Sequence, residues 1–348
     1  MVHLASVMTS FFRGSIRVAA AGLKVLAVFI LFLVTIWAAA AIYFDLPSTI
    51  APGVLVAVFY VVALIAFLFS GRFSWFSVGI GFAVFIGIAI WWRSLKPLQN
   101  RDWQPDVAET AWTERDGDKI TIHNLRNFDY EAGQPPKPKP RWETRVVDLS
   151  QIQTVDLFIN FWGSTLICHP IVSFQFGPDQ HIAFSVETRM AQGQSYSTIR
   201  GFFKQFALTY IVADERDVVR VRTNYRHEQL YLYRTSIKPE RARALFLSYL
   251  ETVNDLHKQP QFYNALTSNC TTNVRTHTAA TTTKPAAWDW RMLINGTVDE
   301  LVYERGGFQS RLPFAELKEK SLIDATAQAA DQAPDFSERI RAGLPSFN

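Results

Sequence analysis

His169-Pro170-Ile171-Val172-Ser173-Phe174-Gln175-Phe176 and His181-Ile182-Ala183-Phe184-Ser185-Val186-Glu187-Thr188-Arg189 flank the four residues Gly177-Pro178-Asp179-Gln180. Glycine, proline and aspartate together mark a tight turn, so the two flanking runs read as the arms of a β-hairpin. Counted outward from a Phe176–His181 pair, His169 falls opposite Thr188, with Glu187 and Arg189 as immediate neighbours. Side chains alternate between faces, so the turn type decides whether Glu187 or Thr188 shares the face of His169, and a one-residue bulge exchanges them. Glu187 is the preferred partner, because a carboxylate orients and stabilises an imidazolium. A surface ion pair between Glu187 and Arg189 is the competing reading. His181, at the turn end of the hairpin, is out of reach of His169.

Around this hairpin lie further short alternating runs at residues 119–123, 145–149, 153–159, 208–212, 218–222 and 229–233, which the sequence predicts as strands. A helix is predicted over 239–256, with Ser236 ahead of Pro239. Strands followed by helices make an α+β domain. The proline-lysine tract at 134–140 reads as an extended, polyproline-like surface loop. From Asp324 onward the chain is rich in Ala, Gln and Asp and reads as a weak helix or as disorder.

The apolar character of the chain lies mostly before Trp92. Residues 1–24 carry Arg13, Arg17 and Lys24 and no acidic side chain, and residues 25–44 then run uncharged for a membrane thickness. Two more spans, 53–69 and 73–92, follow across the Asp45-Leu46-Pro47 turn and Gly71-Arg72, the last ending on Trp91-Trp92. The basic tail and Arg72 mark the cytoplasmic side, so three spans put the large C-terminal part outside the cytoplasm, in the periplasm of an inner-membrane protein. The layout is a basic tail (1–24), a three-helix anchor (25–92), a linker with an early strand region (93–147), a catalytic domain (148–323) and a weakly ordered tail (324–348). A net charge of +4 without a lysine- and arginine-dense tract excludes nucleic acid as a partner. The sequence has no metal-ligand spacing, phosphate-cradling glycine loop or dinucleotide fingerprint, so no cofactor is expected.

Chemistry concentrates in Tyr263-Asn264-Ala265-Leu266-Thr267-Ser268-Asn269-Cys270-Thr271-Thr272-Asn273-Val274-Arg275. Ser268 and Asn269 are good cap residues, which puts Cys270 in the first turn of a helix running through Val274 and beyond. The dipole and free amides there favour a nucleophilic thiol. Such a nucleophile needs a base held by a third group. Of the histidines, His169 is the candidate base, while His3 precedes the first span, His123 lies in the early strand region, and His227 and His257 sit in polar surroundings. Asn264 and Asn269 are candidates for supporting or oxyanion roles, or simply cap the turn, and Tyr263 is placed behind the site. Phe158, Phe161 and Trp162 line an acyl groove or pack in the core. Cys168, next to His169, points to the opposite face of its strand, so no Cys168–Cys270 disulfide is expected.

Four blocks in order carry a resemblance: His169-Pro170-Ile171-Val172-Ser173-Phe174, Ser185-Val186-Glu187-Thr188-Arg189, Ala213-Asp214-Glu215-Arg216-Asp217, and Phe262 to Thr272. Together they resemble the Lnb N-terminal periplasmic domain family, over roughly 148–311. The resemblance implies a circularly permuted papain-like fold, an antiparallel sheet with flanking helices, in which the histidine strand precedes the cysteine helix. It also implies a lipoprotein N-acyltransferase chemistry. Cys270 would take an acyl group from a phospholipid and pass it to the amino terminus of a diacylated lipoprotein, with His169 as base. The three N-terminal spans and the absence of a later membrane region depart from that pattern. A papain-like peptidase or amidase outside the cytoplasm, and a non-catalytic membrane-anchored binding domain, are the alternatives.

Overall fold

The computed structural model describes residues 2–70, 74–133, 135–177 and 180–345. Arg72, Phe73, Gln134, Pro178 and Asp179, on which the reading above partly relied, lie outside the described residues, as do the side chains of Arg13 and Arg17. Two compact units divide the chain, Met1–Lys96 with Phe203–Gln205, and Pro97–Phe202 with Phe206–Asn348.

The first unit contains α1 (Val2–Asp45), α2 (Gly53–Ser70) and α3 (Trp75–Ser94). Each is long and apolar enough to cross a membrane, the crossing part of α1 being Val18–Asp45. Leu31, Leu64, Leu68 and Val78 pack among them, while most of their large apolar side chains stay exposed, as helices solvated by lipid require. Asp45 is held at the end of α1 by the Trp92 indole, which donates to its Oδ2 at 2.7 Å.

The second unit is built on strands β1 (Trp112–Asp116), β2 (Lys119–Arg126), β3 (Asp129–Glu131), β4 (Lys137–Lys139), β5 (Trp142–Asp148), β6 (Ile152–Phe161), β7 (Cys168–Phe176), β8 (Gln180–Arg189), β9 (Ala207–Ala213) and β10 (Gln229–Arg234). Its helices are α4 (Thr198–Gly201), α5 (Glu215–Val218), α6 (Pro239–Lys258), α7 (Cys270–Ala280), α8 (Val298–Glu304), α9 (Phe314–Lys320), α10 (Asp324–Ala329) and α11 (Phe336–Arg339). The main sheet runs β1-β2-β9-β8-β7-β6-β10, with β5 also pairing with β2 off that path. It is mixed rather than purely antiparallel, because β2 and β9 run parallel where Arg126 meets Ala213. Alternation within a strand fixes which face is buried but not the direction of a neighbour distant in sequence, so this departure was not encoded in the runs themselves.

Period-two alternation builds two cores on the two faces of the sheet. Leu157, Ile159, Phe161, Val172, Phe174, Phe184 and Val186 point to one side, against Phe246 and Tyr249 of α6. Phe158, Ile171, Ala183 and Ile211 point to the other, against Val218, Val219, Phe336 and Ile340.

Three further expectations are corrected. Residues 218–222, read as a strand, instead finish α5 and enter a π-turn at Val221–Tyr225. Asp214 caps that turn by accepting from the Arg216 amide at 2.9 Å, and Asp217, Arg220 and Arg222 are all turned inward, which an amphipathic strand would not allow. The 134–140 tract is not a free polyproline loop, because β4 pairs with β3 and Lys139 meets Glu131 at 3.0 Å. The tail after Asp324 follows the helical side of its reading, in the short helices α10 and α11, and is corrected only in being packed rather than disordered. Phe336, Ile340 and Leu344 are buried, and Arg341 reaches Asp156 and Glu215.

The hairpin itself slips by one residue from the count above. Phe176 pairs with Gln180 rather than His181, and Ile171 with Ser185, so Glu187 and not Thr188 falls opposite His169 when the register is carried on. Gly177, at φ +62, takes the left-handed conformation that starts this turn.

Candidate functional site

Cys270 is the first residue of α7, and the cap is built as its neighbours suggest. Asn269 Oδ1 accepts from the Thr272 amide and Thr272 Oγ1 accepts from the Asn269 amide, both at 2.9 Å, a reciprocal capping box. Upstream, Asn264 Oδ1 accepts from the amides of Leu266 and Thr267, each at 3.0 Å, which ties the loop into a turn and aims it at the helix. Asn264 Nδ2 donates to the Phe202 carbonyl and Asn269 Nδ2 to the Ala265 carbonyl, so both side chains are committed to the turn. Tyr263 lies buried behind the loop, its hydroxyl pushed up by burial first and then by Cys270 and Tyr196.

His169, the second residue of β7, is 7% exposed. Its Nε2 is 2.7 Å from Ser185 Oγ and 3.3 Å from Glu187 Oε1, and Ser185 Oγ donates to the same carboxylate oxygen at 2.6 Å. Ser185 and Glu187 are two apart on β8, on one face, so they present a hydroxyl and a carboxylate side by side to the ring. Arg222 closes the far side, donating from Nη2 to Glu187 Oε1 at 2.8 Å. Burial, the largest single influence, works against a charged His169, but Glu187 and the Cys270 side chain together overcome it, raising the imidazole to about 9. The Glu187 carboxyl is held well below its ordinary range: burial opposes this, and His169 and Arg222 overcome it. Cys270 Sγ is 4.0 Å from Thr271 Oγ1, and its side chain is close enough to the imidazole to favour the protonated ring. The structure therefore brings His169 together with Ser185, Glu187 and Arg222, and Cys270, at the head of α7, adds to the charge on the ring.

Arg189 is not brought to them. Its guanidinium donates to the carbonyls of Val107 (2.9 Å) and Ala108 (2.5 Å) and stacks over Trp103, so it pins the segment preceding β1 and forms no ion pair with Glu187. Phe158 and Phe161 are core residues on opposite faces of the sheet, whereas Trp162 is 41% exposed and stands edge-on to His169.

Four residues that support these side chains or their elements were not found in the sequence. Ser185 was legible in principle from its spacing to Glu187, whereas Arg222 lay in a segment misread as a strand. Asn295 is the third. Buried between elements, it accepts from the Cys168 amide (2.8 Å) and donates through Nδ2 to the Cys168 carbonyl (2.7 Å) and to Thr271 Oγ1 (2.6 Å). One side chain thereby ties the start of the histidine strand to the first turn of the cysteine helix. Gly296 permits it, because a Cβ there would collide with the carbonyl of Thr165 and the backbone of Leu166. His277 is the fourth. Two turns along α7 from Cys270, it bridges Tyr210 and Ser248 at 2.9 Å each, and burial pushes it down to about 4. Cys168 is a free, buried thiol that donates to the Asn295 carbonyl, and burial raises it well above the ordinary thiol range. Among the described residues no group of His, Cys, Asp or Glu is arranged to hold a metal ion.

Residues 139–296 match the Lnb N-terminal periplasmic domain family. The match contains Cys270, His169, Glu187, Arg222 and Asn295, and it ties this part of the chain to an acyltransferase-associated family. It begins nine residues before the resemblance read from the four blocks and ends at Gly296 rather than near Arg311. No curated protein and no solved structure matches the chain. Three apolar helices ahead of a periplasmic-domain match make this a multi-pass inner-membrane protein with its C-terminal domain in the periplasm.

Proposed function

We propose that this protein is a periplasmic cysteine-dependent acyltransferase on a circularly permuted papain-like domain, with Cys270 as nucleophile, His169 as base and Glu187 as the group that orients His169. The observation that carries the reading is a thiol at the head of a capped helix, with an imidazole whose charge is supported by a half-buried carboxylate. His169 holds the proton of Cys270 while the sulfur attacks the ester carbonyl of a phospholipid. Asn269 takes the Thr272 amide, and the Cys270 and Thr271 amides precede the first i→i−4 bond of the helix, so they are free to donate to the oxyanion. The C–O bond then breaks, His169 returns the proton to the leaving lysophospholipid oxygen, and a thioester remains on Cys270. An acceptor amine, in this reading the amino terminus of a lipoprotein, attacks the thioester carbonyl. It forms an amide and gives up a proton through His169, and the thiol is restored.

A lipid donor rather than a peptide is supported by the surroundings. Trp162, Leu166 and Ile167 ahead of β7, and Leu293 and Ile294 ahead of Asn295, are all exposed. The Gly296 amide donates to the Leu166 carbonyl at 2.9 Å and holds these two apolar segments together. Clustered exposed apolar side chains beside a site are the mark of an apolar partner.

The test is acyl capture. The full chain, given a phospholipid with a labelled acyl chain, is expected to acquire a label that neutral hydroxylamine removes. Cys270→Ala abolishes it, His169→Ala slows it at least ~10²-fold, and Cys168→Ala leaves it nearly intact. Labelling unchanged in Cys270→Ala overturns the reading. A wild-type protein inert to several lipids but active on a peptide or amide replaces it with the hydrolase.

A further inference from the structure

A cavity of about 550 Å³ lies between the sheet and helices α6, α7 and α8. Its walls are apolar, with Leu157, Val172, Leu245, Val274, Leu301 and Val302 among them, and Thr271, the neighbour of Cys270, also lines it. The volume is typical of small-molecule sites.

The charge in this cavity is one-sided. Arg241, Arg275, Lys284 and Arg305 line it, and Asp156 is the acidic residue among the lining groups. Asp156 is already taken: Arg234 donates to its Oδ1 at 2.7 Å and Arg341 to its Oδ2 at 2.8 Å. Arg241 donates from Nη2 to the Thr278 carbonyl (3.1 Å) and Arg275 from Nη2 to the Ala286 carbonyl (3.3 Å). The Nε atom of each is buried with no acceptor, and neither guanidinium forms an ion pair among the described residues. Buried donors of this kind are costly unless something accepts from them, and guanidinium forks match carboxylate and phosphate oxygens. Apolar walls closed off by two uncompensated arginines fit a molecule with a long apolar tail and an anionic head.

We propose that this cavity is a non-covalent site for a single-chain anionic amphiphile, with the tail between α7, α8 and the sheet and a carboxylate or phosphate head on Arg241 and Arg275. The site is separate from the thiol chemistry and does not depend on it.

The experiment uses the full chain carrying Cys270→Ala, reconstituted in phosphatidylcholine nanodiscs, so that no acyl-enzyme forms. Three probes with a mid-chain diazirine are compared: palmitate, lysophosphatidate and the uncharged monoacylglycerol. After irradiation, adducts of at least one anionic probe are expected on peptides containing Val274 or Val302, at least tenfold above those of the monoacylglycerol. Capture of palmitate alone assigns a carboxylate head, and capture of lysophosphatidate alone assigns a phosphate head. Arg241→Gln with Arg275→Gln should reduce the adducts at least tenfold. Ala279→Trp, which fills the cavity while sparing the arginines, should remove them, and it serves as the test if the double variant melts lower. Adducts at these peptides that ignore head charge, or that persist in Ala279→Trp, overturn the proposal. Failure of acyl capture at Cys270 would leave it standing.

Discussion

Glu187 Oε1 is 3.3 Å from His169 Nε2 and 2.8 Å from Arg222 Nη2, so a single carboxylate oxygen serves a histidine from β7 and an arginine from the π-turn after α5. Ser185 Oγ donates to the same oxygen, and Glu187 is thereby held from three directions while its own strand holds its backbone. An imidazole facing such a carboxylate keeps its proton well above neutrality.

The first prediction concerns pH. The folded value of His169, about 9, lies above its ordinary 6.5, so its contribution to stability is complete below about pH 6.5 and is lost as pH rises through about 9. At ~1.4 kcal/mol per pKa unit it amounts to at most on the order of 3 kcal/mol. The melting temperature should therefore fall between pH 7 and 9.5, and much of that fall should disappear in Glu187→Gln. An equal slope in wild type and variant would show that the pair does not govern it. In acyl capture the same variant should be slowed less than His169→Ala, since it orients the base without carrying the proton.

Asn295 offers a separate test of how the site is held. Replacing it with Ala removes three hydrogen bonds between Cys168 and Thr271 and leaves buried backbone groups unmet, at a cost of about 2–4 kcal/mol. Urea unfolding should show this loss, and alkylation of the buried Cys168 should accelerate. Because the strut joins the histidine strand to the cysteine helix, acyl capture should slow although Asn295 touches no reacting atom. A variant destabilised but captured at the wild-type rate would reduce Asn295 to a packing role.

The C-terminal segment should matter to the fold. Arg341 donates to both Asp156 and Glu215, and although burial opposes it, Arg341 holds the Glu215 carboxyl down at about 2. Arg341→Met leaves buried carboxylates short of a counter-charge and should cost about 3–5 kcal/mol, whereas Arg339→Ala, which breaks an exposed pair with Asp335, should leave the melt nearly unchanged. Equal effects in denaturant melts would contradict the inward role of Arg341.

Topology gives the fourth prediction. A reporter active only outside the cytoplasm, fused after Pro97, should be active, and a cytoplasmic reporter at that position silent. The reverse pattern would turn the domain inward and remove the periplasmic assignment.

The sequence by itself determined what depends on local pattern. Three uncharged runs of membrane length predict the spans, alternation predicts the strands around His169, and Asn269 before Cys270 predicts where α7 begins, because caps and apolar periodicity act within a few residues. It also pointed to Cys270, His169 and Glu187, although the turn count favoured Thr188 opposite His169 until the structure supplied the register. Tertiary structure alone decided the rest. Arg222 reaches Glu187 only after a segment that alternates like a strand is turned into helix by its cap and its inward charges. Asn295 joins Cys168 to Thr271 across 127 and 24 residues of chain. Arg341 draws a polar tail onto a buried acidic pair. Buried polar side chains find their partners through space, and no local periodicity records the distance they must cross.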